Sequence, residues 1–143
     1  MTPTTQARTT TRFDAGLTVL RAAVGSIFLV HGAQKLFVYG FAGVAGAFGQ
    51  MGVPLPGVTG PMVALIEFFG GAALLIGLLT RLAGLGLALT MTGAIMLVHL
   101  KGGFFNPNGF EYPLALAAAS LAVALIGGGR FSVDAVLMRR QIR

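Results

Sequence analysis

Four apolar runs, at residues 17–37, 62–79, 82–100 and 112–128, constrain this chain more than any other feature. Each approaches the roughly 20 helical residues needed to cross a hydrocarbon core of about 30 Å. The third carries no formally charged residue, and the second carries only Glu67. Backbone amides in lipid must be paired internally, and the alternating pattern of barrel strands is absent, so the runs are predicted to be helices. Composition agrees: 10% of the 143 residues are charged and the mean hydropathy is +0.85, against roughly a quarter charged in a soluble domain. An all-α integral membrane four-helix bundle follows. With no cysteine, disulfides, thiol exchange, thiolate zinc sites and protein-ligated iron–sulfur clusters are excluded. Any redox role must draw on a bound cofactor or a partner.

Residues 1–15 are threonine-rich and read as a disordered polar tail, residues 16–130 as the four-helix domain, and residues 131–143 as a basic tail. In that tail Ser132 is placed to cap a short amphipathic helix on the membrane face. The first connection has glycine at every third place from Gly40 to Gly52 and ends at Pro54 and Pro56, the pattern of a surface-lying or re-entrant segment. Thr80 and Arg81 are expected to form the next turn, making its flanking helices antiparallel neighbours. The third connection, KGGFFNPNGFE, has the composition of an irregular loop.

The net charge of +6 and pI near 11.3 do not mark a nucleic-acid binder, because the basic residues sit at span ends rather than among exposed aromatics. Arg8, Arg12, Arg21, Arg81, Arg130, Arg139, Arg140 and Arg143 fall on one side of the membrane, Lys35 and Lys101 on the other. The positive-inside bias predicts both termini in the cytoplasm.

That topology gathers the rarest residues at one depth. His31, Gln34 and Lys35 lie in the outer third of helix one, with His31 and Lys35 one turn apart. Glu67 lies near the outer end of helix two, His99 and Lys101 at the end of helix three, and Glu111 and Tyr112 at the start of helix four. Glu67 shares a face with Ala64, Gly70 and Gly71, His99 with Gly84, Ala88 and Thr92, and Glu111 with Ala115, Ala118 and Ala122. Small residues mark the sides on which membrane helices approach, so these polar groups are expected to face inward. Two plainer readings stand beside a site: Lys35 pairing with Glu67 or Glu111 to hold the bundle together, and Lys101 and the tyrosines serving as interfacial anchors. A haem between His31 and His99 is a weaker alternative. So is a metal held by His31, His99, Glu67 and Glu111, since the Glu-x-x-His repeat of di-iron bundles is missing.

The segments LRAAVGSIFLVHGAQKLF, EFFGGAALLIGLLTRLAGLGLALTM and GFEYPLALAAASLAVALIGGGRFSVD resemble, in order and spacing, the DoxX family of small bacterial four-helix membrane proteins. The matching motifs are HGxxKL, EFFGG, LLTR and G-x-EYPL, centred on His31, Lys35, Glu67, Arg81, Glu111 and Tyr112. The resemblance implies a multi-pass protein of the bacterial inner membrane. The wider group includes the membrane subunit of a thiosulfate:quinone oxidoreductase and components of membrane-associated redox systems.

Two functions from different classes are compatible with these features. In the first, a quinone-linked oxidoreductase subunit, His31 and Lys35 donate to the quinone oxygens, Glu67 or Glu111 relays protons, and Gln34, His99 and Tyr112 contribute to binding. No dinucleotide GxGxxG follows a strand and no side chain here stores electrons, so a protein partner or further cofactor would supply them. In the second, a non-enzymatic assembly or scaffold subunit, the polar cluster fixes the bundle and its small-residue faces dock a membrane or extracytoplasmic partner or a second copy. Solute transport is a weaker third, as four helices without an inverted repeat make a poor alternating-access machine.

Overall fold

The computed structural model describes the backbone of residues 5–141 and the side chains of residues 10–140. Within it the chain is all-helical and forms a membrane-type bundle. Helix α1 (Thr5–Ala33) continues through a π-helical stretch, Gln34–Tyr39, into α2 (Gly40–Gln50). Then come α3 (Pro56–Ile76), α4 (Thr80–Ala94) with a π-helical extension Ile95–His99 and a short 3-10 turn Leu100–Gly102, α5 (Glu111–Ile126) and α6 (Val133–Gln141). Three continuous helical stretches, Thr10–Gln50, Pro56–Ile76 and Thr80–Gly102, are long and apolar enough to cross a membrane, and Glu111–Ile126 is a shorter apolar helix. Helix α1 begins at Thr5, inside the segment expected to be a polar tail; residues 1–4 lie outside the described ones.

Helix α1 packs on α3, α3 on α4, α4 on α5, and α5 returns to α1. Leu17, Val24, Phe28, Leu74, Leu87, Leu116 and Val123 form the core between them. Glycine permits the closest approaches. A Cβ on Gly32 would lie 2.3 Å from the Phe68 amide nitrogen, and one on Gly71 would lie 2.4 Å from that of Leu29. Between α4 and α5, Gly84 does the same against the Ser120 carbonyl. Most other large apolar side chains, Val19, Val30, Phe69 and Leu89 among them, point outward, as they must where the solvent is lipid.

The glycine-rich first connection folds as α2, which buries Val44 and lies against α3 at Gly60. The turn expected at Thr80 and Arg81 lies instead at Gly77–Leu79. Gly77, at φ 77°, ends α3 with a Schellman pattern in which the Leu78 amide donates to the Ala73 carbonyl (2.9 Å) and the Gly77 amide to Leu74 (3.2 Å). Thr80 is already the first residue of α4.

Candidate functional site

Both π-helical stretches fall where the scarce polar residues are. Single π turns insert an extra residue, shift the helix face, and occur often at functional sites. Gln34–Tyr39 carries Lys35, and Ile95–His99 ends on His99. Helix α1 stays against α3 because Gly25 and Gly32 admit the α3 backbone. From the next turn Lys35 Nζ reaches across to donate to Glu67 Oε2. Glu67 is 3% exposed and flanked along α3 by buried Ala64 and Gly71. Lys35 keeps part of its side chain open. This is the only salt bridge among the described residues.

The pair sits in the wall of a cavity of about 670 Å³, within the usual size range of small-molecule pockets. His31 and Lys35 line it from α1, Glu67 from α3, His99 from the end of α4 and Tyr112 from the start of α5. The rest of the wall is mainly apolar, including Phe28, Met62, Ile66, Leu97 and Leu116. His31 and Tyr112 are exposed, whereas Glu67 is buried, so the polar wall runs from the open surface to a sequestered carboxylate. Thr59 and Thr90 also line the space, but their hydroxyls donate to backbone carbonyls of their own region.

Two residues expected at the site stand outside this lining. Gln34 is exposed at the start of the π-helical stretch. Glu111 Oε1 accepts the Asn106 amide at 2.8 Å, and Asn106 and Pro107 rather than Glu111 reach the cavity. The reason lies in how α5 packs: its buried stripe is Pro113, Leu116, Ser120 and Val123, while Ala115 and Ala118 of the row headed by Glu111 are exposed. Small size alone did not identify the inward face. No grouping of three or more His, Asp or Glu able to hold a metal occurs among the described residues, so the four-residue metal alternative is not assembled. His99 Nδ1 lies 3.4 Å from the Asn108 carbonyl, tying the end of α4 to the loop that closes the cavity.

A second polar centre was not expected. Arg21, read as a flanking charge, is 2% exposed inside the opposite end of the bundle. Its Nη2 donates to the Phe131 carbonyl at 2.9 Å, while Nε and Nη1 have no hydrogen-bond partner among the described residues. The guanidinium lies so close over Gly77 that a Cβ there would be 1.6 Å from Nη1. Nearby, Asp134 of α6 caps α4 from outside, accepting the Leu79 amide (2.8 Å), the Thr80 amide (2.9 Å) and the Thr80 hydroxyl (2.6 Å). Ser132 accepts the Ala135 amide at 3.2 Å and so caps α6 itself. Burial pushes the Asp134 carboxyl up, but the bonds from Thr80 and Leu79 and the Arg21 charge outweigh it and hold the group below the ordinary carboxylate range. The signal for Arg21 was present: Leu17, Arg21, Val24 and Phe28 share one helical stripe, and the other three are core.

The DoxX family profile matches residues 16–100, more than half of the chain, covering α1 from Gly16 together with α3 and α4. The chain belongs to the DoxX family. This DoxX protein is 40% identical over 119 residues to the Bacillus subtilis (strain 168) protein named "Putative oxidoreductase CatD", covering 83% of this chain and 84% of that one. It is 36% identical over 133 residues to a membrane protein of Mycobacterium tuberculosis (strain ATCC 25618 / H37Rv), covering 85% and 80%. It is also 33% identical over 128 residues to the inner membrane protein YqjF of Escherichia coli (strain K12), covering 89% and 95%. No solved structure matches the chain at a significant level.

Proposed function

We propose that this DoxX protein is the membrane subunit of a quinone-linked oxidoreductase, and that the cavity between α1, α3, α4 and α5 receives the quinone head. The observation that carries the reading is an ion pair between half-buried Lys35 and buried Glu67 in the wall of an otherwise mainly apolar space of about 670 Å³. An ammonium has three donors and Glu67 takes one, leaving Lys35 two for a carbonyl oxygen. His31, one turn before Lys35 and open to the surface, exchanges protons with the outside. His99 and Tyr112 offer donors from α4 and α5, and the apolar wall takes the ring. Gln34 lies at the margin, and Glu111 acts through the loop it holds. Reduction of a quinone consumes two electrons and two protons; this chain supplies proton-bearing groups, and a membrane or extracytoplasmic protein partner supplies the electrons. In this reading both termini are cytoplasmic and the site opens near the outer face of the inner membrane, as the arginine distribution favours. The similarity to the protein named "Putative oxidoreductase CatD" supports the class of reaction.

Quinone extracted from the detergent-purified protein tests this. Wild type is expected to carry quinone and to bind added quinone saturably, with Lys35→Ala and Glu67→Gln each weakening binding at least tenfold while the helical circular dichroism is retained. Folded wild type that neither retains nor binds quinone overturns the reading; a Soret band replaces it with haem, and a blank spectrum with a stable protein partner favours the scaffold subunit.

A further inference from the structure

We propose that the end of the bundle opposite the cavity carries a binding surface for anionic phospholipid headgroups, built on α6 and the arginines around it. Four contacts place the parts at that end. Asp134 joins α6 to the α3–α4 turn, Arg130 Nη1 donates to Thr11 at 3.2 Å, the Arg130 amide donates to Asp14 Oδ1 at 3.2 Å, and Arg81 Nε lies 3.3 Å from where a Gly127 Cβ would be. Arg12, Arg81, Arg130, Arg139 and Arg140 are all exposed there.

The chain has four acidic residues, Asp14, Glu67, Glu111 and Asp134. Glu67 and Glu111 belong to the cavity end. Asp14 and Asp134 are engaged with backbone amides, and none of the five exposed arginines forms a salt bridge among the described residues. With Arg21 added, six arginines stand against the two carboxylates Asp14 and Asp134, so among the described residues this end carries net positive charge. It is also apolar between the charges: Phe131, Val136, Leu137 and Met138 are exposed, and Arg130 stacks 5.2 Å from the centre of the Phe131 ring. Exposed apolar side chains interleaved with guanidinium groups suit the boundary where acyl chains meet phosphate diesters. An acidic protein would need an apolar strip in register with its carboxylates, whereas a bilayer boundary offers acyl chains beside phosphates by its construction. Because Ser132 and Asp134 fix both the start and the seat of α6, the arginines are held in place rather than carried on a loose tail.

The absence of cysteine allows a unique label through Met138→Cys. In nanodiscs of equal phosphatidylglycerol and phosphatidylcholine, brominated phosphatidylglycerol is expected to quench this fluorophore more than brominated phosphatidylcholine. The preference falls by up to about fivefold for each of Arg130→Gln, Arg139→Gln and Arg140→Gln. Lys101→Gln, at the other end, leaves it unchanged, and an unaltered thermal melt shows that the seat of α6 is intact. Equal quenching by the two lipids in the labelled protein, or a preference that survives the triple arginine variant, overturns the proposal; the first result returns the surface to an acidic protein partner.

Discussion

Glu67 shows why a bilayer-embedded chain can hold a charge and what the charge costs. Its carboxylate is buried and its one ionic partner among the described residues is Lys35. Replacing one member of a buried pair leaves the other uncompensated, a loss of about 3–5 kcal/mol at full burial. Lys35 is partly open, so Glu67→Gln is expected to destabilise the bundle by less, about 2 kcal/mol. The double variant Lys35→Met/Glu67→Leu, which removes both charges at similar volume, should recover most of that in denaturant titration while still failing to bind quinone. Recovery of binding with it would make the pair structural only. At the opposite end Arg21 has no such partner among the described residues; its charge is felt by Asp134, and within those residues Nη2 alone donates a hydrogen bond.

Helix pairing depends on a few positions where no side chain fits. Gly32→Ala places a methyl against the Phe68 backbone, which cannot retreat as a flexible side chain would. Forced separation of α1 and α3 is expected to cost about 3 kcal/mol or more. Because Lys35 lies three residues further on, the same variant should also loosen the Lys35–Glu67 pair and weaken quinone binding. Gly46→Ala, where nothing lies within 4 Å, is the matched control and should be neutral in both measurements. At the α3–α4 turn Gly77 answers two demands at once, a left-handed backbone and room for Arg21.

Assembly of the bundle is closed at its arginine end by α6, through Asp134. Its carboxyl is held below the usual range, so it favours the docked state above the unfolded value near 3.9 and loses that contribution as pH falls through the lower folded value. The difference in thermal melt between wild type and Asp134→Ala should thus stay constant from neutral pH to about 5 and shrink below about 4 as this carboxylate is protonated. Asp134→Ala removes both the acid-dependent decline from this group and the cap on α4, at about 1–2 kcal/mol. Asp134→Asn keeps one acceptor oxygen and should fall between them. A wild-type melt that already declines between pH 7 and 5 would assign the transition to another group.

The primary structure by itself determined that the chain is an all-helical membrane protein, roughly where its apolar helices lie and which family it belongs to, because hydropathy, the scarcity of charge and short motifs such as HGxxKL are local properties of consecutive residues. Counting along the helices also led to the expectation that His31, Lys35, Glu67, His99 and Tyr112 lie at one level, and these five line one cavity. Only the tertiary structure decided which way each residue turns. The π-helical stretches shift Lys35 and His99 off a regular helical register, α5 presents its Leu116 and Val123 stripe rather than its alanine row, and Glu111 is spent on the loop amide of Asn106. Rotation about a helix axis is set by packing against neighbours distant in sequence, and the same packing turned Arg21 from an apparent flanking charge into a buried one.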